Sequence, residues 1–165
     1  MIEKAKESSL YKEVLHHSWF CQDKCEAFRG REDILEKIQT FLRDFNRPEP
    51  MVIYGSSGSG KTSIMAVVAK SARQWLGDDT VCIFRFLGTS PESSSIRSTI
   101  ASICLQICEV YSMDAPKADI LEDYSQLIRF FHGLISSLPV SNVRPLVIIL
   151  DSVDRSEERR VGKEC

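Results

Sequence analysis

A glycine-rich segment has the residue types and spacing best suited to chemistry. Residues 55–62 read Gly-Ser-Ser-Gly-Ser-Gly-Lys-Thr, which fits G-x-x-x-x-G-K-[ST] at every fixed position. Glycines let backbone amides approach a polyphosphate without a Cβ in the way. If a helix follows, its first turn adds unpaired amides and the positive end of its dipole. We therefore predict that this segment binds the phosphates of a nucleotide.

Each residue of the segment has an expected role. A helix dipole contributes only about 0.3–1 kcal/mol, whereas micromolar binding needs about 8 kcal/mol, so several groups must act together. We expect Lys61 to contact the terminal phosphates, Thr62 to be a hydroxyl ligand of Mg²⁺ and Ser63 to lie on the α-phosphate side. A flexible Gly/Ser turn is the alternative, but it leaves the Lys-Thr pair unexplained. The predicted nucleotide contacts here are Gly55, Ser56, Ser57, Gly58, Ser59, Gly60, Lys61, Thr62 and Ser63.

Two carboxylates near the end of the chain support this prediction. The run 146–150 is almost purely aliphatic, which is typical of a strand buried on both faces, and it is followed by Asp151 and then Asp154. Ligands of open α/β sheets lie at the carboxyl ends of the strands. We expect Asp151 to hold Mg²⁺, mainly through water, and Asp154 to orient or deprotonate the attacking water. The alternative is that both are solvated residues at a strand end.

Strands that alternate with helices predict an α/β fold with a parallel sheet. Apolar residues at spacings of three and four indicate the helices, while short apolar runs indicate the strands. Any of Ser93, Ser94 and Ser95 can cap the helix that follows them. The predicted helices are 3–18, 31–45, 59–75, 96–111 and 124–138, the predicted strands are 51–54, 81–87 and 146–150, and residues 18–30 are predicted to be irregular.

The two motifs together resemble the Walker A and Walker B elements of P-loop NTPases. The chain is further similar to NACHT-type STAND ATPases, particularly nephrocystin-like and NACHT–WD-repeat proteins. Three more stretches contribute to this likeness: Phe-Arg-Gly-Arg-Glu at 28–32, Phe-Arg-Phe-Leu-Gly-Thr-Ser-Pro at 84–91, and the helix at 100–107. The resemblance implies a molecular switch governed by ATP or ADP and Mg²⁺. It also implies that Phe28 and Arg31 lie near the adenine.

The resemblance also implies a domain organisation. We expect an N-terminal helical segment at 1–27, then an incomplete three-layer P-loop NTPase domain at 28–154. Residues 155–165 resemble the translation of a sequencing adapter, with a charged, solvated tail as the alternative. In the family's sheet another strand lies between the Walker A and Walker B strands. We therefore expect 51–54 and 146–150 either to pair directly or to leave unpaired backbone, so that this chain folds poorly or does not hydrolyse ATP.

Composition narrows the functional classes. The chain has 165 residues, 27% of them charged, and a net charge of −2, which argues against non-specific binding to nucleic acids or membranes. The charged N-terminus lacks a signal-peptide pattern, so we expect a cytoplasmic protein.

The spacing of His16, His17, Cys21 and Cys25 disfavours zinc binding, and Cys104 and Cys108 are predicted core thiols. Arg85 is expected either to approach phosphate or to be an ordinary surface arginine.

Three functions remain to be compared. The first is an ATP-hydrolysing signalling switch whose protein partners, and possible nucleotide-dependent oligomer, depend on domains beyond this chain. The second is a scaffold that binds ATP or ADP with little or no hydrolysis. The third is a P-loop small-molecule kinase, which is disfavoured because 112–145 has a single arginine, Arg129, before Arg144.

Overall fold

The computed structural model describes residues 8–26, 28–46, 49–90, 93, 95–141 and 143–152. Within these ranges, each of two strands follows three helices. In chain order they are α1 (Ser9–Glu26), α2 (Glu32–Arg43), α3 (Lys61–Leu76), β1 (Val81–Phe86), α4 (Ile96–Val110), α5 (Ala118–Glu122), α6 (Tyr124–Ser137) and β2 (Leu146–Asp151).

The chain divides into two compact units. The loop unit comprises Ser18–Phe84 and Val140–Asp151, and the helical unit comprises the described residues of Met1–His17 and Arg85–Pro139, together with Ser152. Two of the four boundaries fall inside α1 and inside β1. Each unit has its own apolar core.

The loop unit is built on a two-stranded parallel sheet of β1 and β2. Along β2, buried residues alternate with half-buried ones, as the period of two of a strand requires. Helix α3 contacts both α2 and β2. The buried apolar residues of this unit are Cys21, Ile38, Ile64, Ala66, Val68, Ala69, Ala72, Val81, Ile83, Val147 and Ile149.

Helix α3 follows directly from the glycine-rich segment. Gly60 precedes it in the left-handed conformation, with φ of 88°, and without a side-chain cap. Its small residues Ala66, Ala69 and Ala72 are buried and favour a helix. The helix ends at Leu76 and is followed by Gly77, whose φ is 113° and whose amide donates to the carbonyl of Arg73 at 2.8 Å. Glycine tolerates such φ values without a Cβ clash.

The helical unit is formed mainly by α4 and α6, which pack together, while α5 contacts α6. Of the three candidate serines, Ser95 is the observed cap of α4, since its hydroxyl accepts from the amide of Ser98 at 3.1 Å. Ser94 lies outside the described residues, and Ser93 is buried in the preceding turn. Asp123 caps α6 through the amide of Gln126 at 2.8 Å. The main buried apolar residues are Phe86, Leu87, Ile103, Cys104, Ile107, Cys108, Leu127 and Leu134.

The structure confirms the α/β class with a parallel sheet, but it corrects several elements. Helix α1 continues to Glu26 through the region 18–26, which we predicted to be irregular. Residues 51–54, all of them described, are irregular rather than a strand, so of the two arrangements that we expected, direct pairing with 146–150 is not the one observed. Strand β2 has one buried and one half-buried face rather than two buried faces. The short helix α5 was not predicted.

No helix in the part of the chain that the structure describes is both long and apolar enough to cross a membrane.

Candidate phosphate-binding site

The predicted phosphate loop connects the irregular residues 51–54 to the start of α3. Gly58 and Gly60 have φ values of 75° and 88°, which L-residues rarely adopt. A Cβ on Gly55 would approach Ser59 Oγ to 3.3 Å. Backbone freedom at Gly58 and Gly60, and close approach at Gly55, therefore explain the three glycines. The first-turn amides of α3 have no intrahelical acceptor, as at any helix start.

Lys61 is folded over this loop. Its Nζ donates to the carbonyl of Gly55 at 2.7 Å and to the carbonyl of Ser56 at 2.9 Å. Two hydrogen bonds from one ammonium hold the positive charge at the loop, which is where a polyphosphate anion would need it. The amide of Ser59 also donates to the carbonyl of Ser56 at 3.3 Å.

A hydrogen bond joins the loop segment to the end of β2. Thr62 Oγ1 donates to Asp151 Oδ2 at 2.8 Å, which joins residues 89 positions apart in the chain. The carboxylate is buried and the hydroxyl is half-buried. Both are hard oxygen donors of the kind that Mg²⁺ prefers. The two residues predicted to hold the metal are thus adjacent.

Arg31 is the other predicted site residue that reaches the loop. Its Nη2 donates to the carbonyl of Ser59 at 3.2 Å. Phe28 is half-buried, and its amide donates to the carbonyl of Cys25 at 3.3 Å. Ser63 is half-buried in the first turn of α3. Asp154 lies outside the described residues.

The helical unit contains a buried charged network that the sequence analysis missed. Arg85 is only 1% exposed. Its Nη2 donates to Ser102 Oγ and to Gln106 Oε1, each at 2.8 Å, and its Nε lies 3.6 Å from Glu13 Oε1. The expectation of a surface arginine is therefore wrong, and the Nε and Nη2 donors that a phosphate would use are engaged with these side chains. A short-range pattern does not reveal a partner 72 positions away.

The neighbours of Glu13 determine its acidity. Burial alone raises the pKa of this carboxyl, but His17, Ser102 and Arg85 together bring the pKa below its usual value. Burial lowers the pKa of the Arg85 guanidinium, and Glu13 opposes that effect. His17 is fully buried, and its Nδ1 accepts from the amide of Phe86 at 3.3 Å. The network consequently joins α1, the end of β1 and α4 within the helical unit.

The cysteines of the described ranges are free thiols. Burial raises the pKa of Cys21 to about 12, that of Cys82 to about 11 and that of Cys104 to about 12. Cys104 and Cys108 are buried in α4, so their prediction as core thiols is confirmed. Within the described ranges, no group of three or more His, Cys, Asp or Glu side chains is arranged to hold a metal ion.

Comparison with known proteins identifies the class. The AAA ATPase domain family matches residues 27–161, which is more than half of the chain, so the chain belongs to that family. Together with the relatives described next, this match shows a NACHT-type P-loop NTPase, a nucleotide-binding module.

The relatives carry the name of the NACHT domain. The chain is 36% identical over 147 residues to human NACHT domain- and WD repeat-containing protein 1, and 38% identical to the mouse protein of that name. These alignments cover 88% of this chain and 9% of each relative. It is also 32% identical over 160 residues to human NACHT and WD repeat domain-containing protein 2, covering 91% of this chain and 9% of that protein. The chain thus spans about a tenth of their length. No solved structure matches it significantly.

Proposed function

We propose that this chain binds ATP or ADP with Mg²⁺ and forms part of a signal-transduction switch that hydrolyses ATP. The observation that carries the proposal is the hydrogen bond of 2.8 Å between Thr62 and Asp151. It brings the hydroxyl of the phosphate loop and the carboxylate at the end of a parallel strand into one site, and two separate motifs are needed to build it. The family membership supports the same conclusion.

The residues of the site fit a magnesium nucleotide. Thr62 and Asp151 would hold Mg²⁺, directly and through water respectively, while the loop amides and Lys61 hold the phosphates. When bound, the metal neutralises the charge that develops on the phosphate oxygens. Phosphate oxygens would take over Lys61 from the carbonyls of Gly55 and Ser56, to which it now donates. On this proposal Asp154 orients or deprotonates the attacking water.

The test of nucleotide binding compares two lysines of helix α3 in the full-length protein. Lys61→Ala removes the ammonium at the loop, and we expect it to weaken magnesium–ATP binding by about tenfold or more, since hydrogen bonds to charged groups contribute about 1.5–3 kcal/mol each. The matched control is Lys70→Ala, which removes the same charge from an exposed position of the same helix. Isothermal titration calorimetry measures the affinity of each variant for magnesium–ATP. Equal affinities of the two variants would contradict the proposed site.

A second comparison distinguishes the switch from a binding scaffold. If hydrolysis drives signalling, Asp154→Asn should abolish phosphate release and reproduce the signalling defect of Lys61→Ala, while leaving ATP affinity nearly unchanged. Phosphate release is measured on the purified protein, and the signalling output in cells. Full signalling by Asp154→Asn without phosphate release would favour the scaffold. Transfer of the γ-phosphate to a small molecule instead of water would favour the kinase.

The proposal also includes a role for Phe28 near the adenine, a cytoplasmic location and partners recruited through other domains. For Arg31, contact with the adenine is one of two alternative roles. The division of the chain into a helical segment at 1–27, an NTPase domain at 28–154 and an artefactual tail at 155–165 is a further part of the proposal. The names of the relatives refer to WD repeats, which form β-propellers. They support a partner-sensing role for the longer protein.

A further inference from the structure

Arg31 has an unusual backbone conformation. Its φ is 66° and its ψ is 28°, and it follows Gly30, whose φ is 76°. A left-handed conformation is unfavourable for a residue with a Cβ and persists only where the surroundings impose it. The carbonyl of Arg31 accepts from the amides of Ile34 and Leu35, each at 3.1 Å. The strained residue therefore also accepts the hydrogen bonds that begin α2. Two successive left-handed residues therefore set the direction from which the Arg31 side chain leaves the backbone.

The contact made by this side chain orients a peptide group of the phosphate loop. Arg31 Nη2 donates to the carbonyl of Ser59, and the peptide that joins Ser59 to Gly60 is trans. In a trans peptide the carbonyl and the amide N–H point in opposite directions. With the Ser59 carbonyl directed at Arg31, the Gly60 amide is directed away from it. Gly60 has a φ of 88°. Because glycine has no side chain, its backbone is less restricted than that of other residues, so a hydrogen bond from outside the loop helps to fix this peptide.

We propose that Arg31 is a positioning residue for phosphate binding, which acts by holding the Ser59–Gly60 peptide so that the Gly60 amide faces the bound phosphates. The inference rests on the proposed function, and it assigns to Arg31 a role different from the adenine contact implied by resemblance. A residue that orients the loop affects every ligand that carries the polyphosphate. A residue that contacts adenine affects only ligands that carry the base. The two roles can therefore be separated by the choice of ligand.

The experiment measures the binding of magnesium tripolyphosphate, which lacks a nucleoside, and of magnesium–ATP to the full-length protein. Competition against a fluorescent ATP analogue extends the range to millimolar affinities. Arg31→Ala removes a hydrogen bond to the loop rather than a contact with the phosphates, so it should weaken both ligands by a common factor of about three to ten, as for an ordinary net hydrogen bond. The matched control is Arg29→Ala, which removes an arginine that is also exposed and whose guanidinium donates to the carbonyls of Glu26 and Phe28. It should bind both ligands like the wild type.

A second variant separates the side chain from the backbone. Arg31→Gly also lacks the guanidinium, but glycine accepts the left-handed conformation, so this variant should melt at a higher temperature than Arg31→Ala. We expect it to lose the same factor in tripolyphosphate affinity. Wild-type affinity in Arg31→Gly would trace the defect to backbone strain and overturn the inference.

The remaining outcomes are equally decisive. A loss in Arg31→Ala that is confined to ATP would assign Arg31 to the nucleoside, and identical affinities in Arg31→Ala and Arg29→Ala would remove any role in the loop. Failure of the wild-type protein to bind either ligand would instead refute the proposed function itself.

Discussion

At the scale of single residues, the helical unit contains a buried ion pair between Glu13 and Arg85, which needs further hydrogen bonds to be stable. Both side chains are almost inaccessible to solvent, and their closest charged atoms are 3.6 Å apart. Removing water from two charges is costly, and their mutual attraction offsets that cost only with further hydrogen bonds. Ser102 and Gln106 supply those bonds to Arg85. Removing one partner of such a pair therefore destabilises the fold more than replacing both partners by apolar residues.

Glu13→Gln should change how the stability of the protein depends on pH. The pKa of Glu13 in the folded state lies below the ordinary value of 4.5, so the folded state binds this proton less readily than the unfolded state. The stabilisation is consequently complete above about pH 4.5 and is lost as the pH falls through the folded-state pKa. We expect the difference in unfolding free energy between wild type and Glu13→Gln, measured by urea unfolding, to shrink between pH 6 and pH 3. A difference that stays constant over this range would show that ionised Glu13 contributes nothing.

How well individual residues could be predicted depended on whether their partners are local. The glycines, Lys61 and Thr62 follow one another in the chain, and a single motif predicted that a helix follows the glycines. Asp151 could be added because strand ends share one edge of a parallel sheet. The burial of Arg85 could not be predicted, because its partners Glu13 and Ser102 belong to other elements.

At the scale of elements, local patterns predicted helices better than they predicted strands. The body of α3 and that of α4 follow apolar spacings of three and four, which are contained within each segment. Residues 51–54 have the apolar character of a strand, yet a strand forms only when another strand pairs with it, and that information is not local. The extension of α1 was predictable in hindsight, since neither glycine nor proline interrupts residues 18–26.

The cap of α4 provides a test at this scale. Ser95→Ala removes the hydroxyl that accepts from the amide of Ser98, and capping serines contribute about 0.5–2 kcal/mol. We expect the unfolding free energy to fall by about 1 kcal/mol. The control is Ser136→Ala, in the last turns of α6, where the exposed hydroxyl donates to the carbonyl of His132 of the same helix. Its effect should stay within about 0.5 kcal/mol. Equal losses in chemical denaturation would argue against a capping role for Ser95.

At the scale of the whole molecule, exposed apolar side chains and a small net charge both favour association between copies of the chain. Val52 is 73% exposed and Tyr54 is 90% exposed, in the irregular segment that leads into the phosphate loop. The calculated isoelectric point is about 5.9. Near that pH, little electrostatic repulsion opposes association through exposed apolar groups.

We therefore expect the solubility of the chain to be lowest near pH 5.9. The double variant Val52→Thr/Tyr54→Ser should raise solubility at that pH, because it replaces exposed apolar surface by polar surface. Tyr124→Ser, at a residue 48% exposed on α6, is the control and should have a smaller effect. Protein remaining in the supernatant after centrifugation, measured from pH 5 to pH 8, gives the comparison. An equal gain from both variants would mean that the segment 51–54 has no special part in association.

The hydrogen bonds from Lys61 to Gly55 and Ser56 have a consequence for the energetics of ligand entry. The ammonium already donates to two carbonyls of the loop. An arriving anion must therefore replace these carbonyls as the acceptor of the hydrogen bonds from Lys61. The free energy gained is the difference between the hydrogen bonds to the anion and those to the carbonyls, and it favours charged oxygens over neutral ones. Metabolites without a multiply charged tail would be rejected by competition from the protein's own backbone.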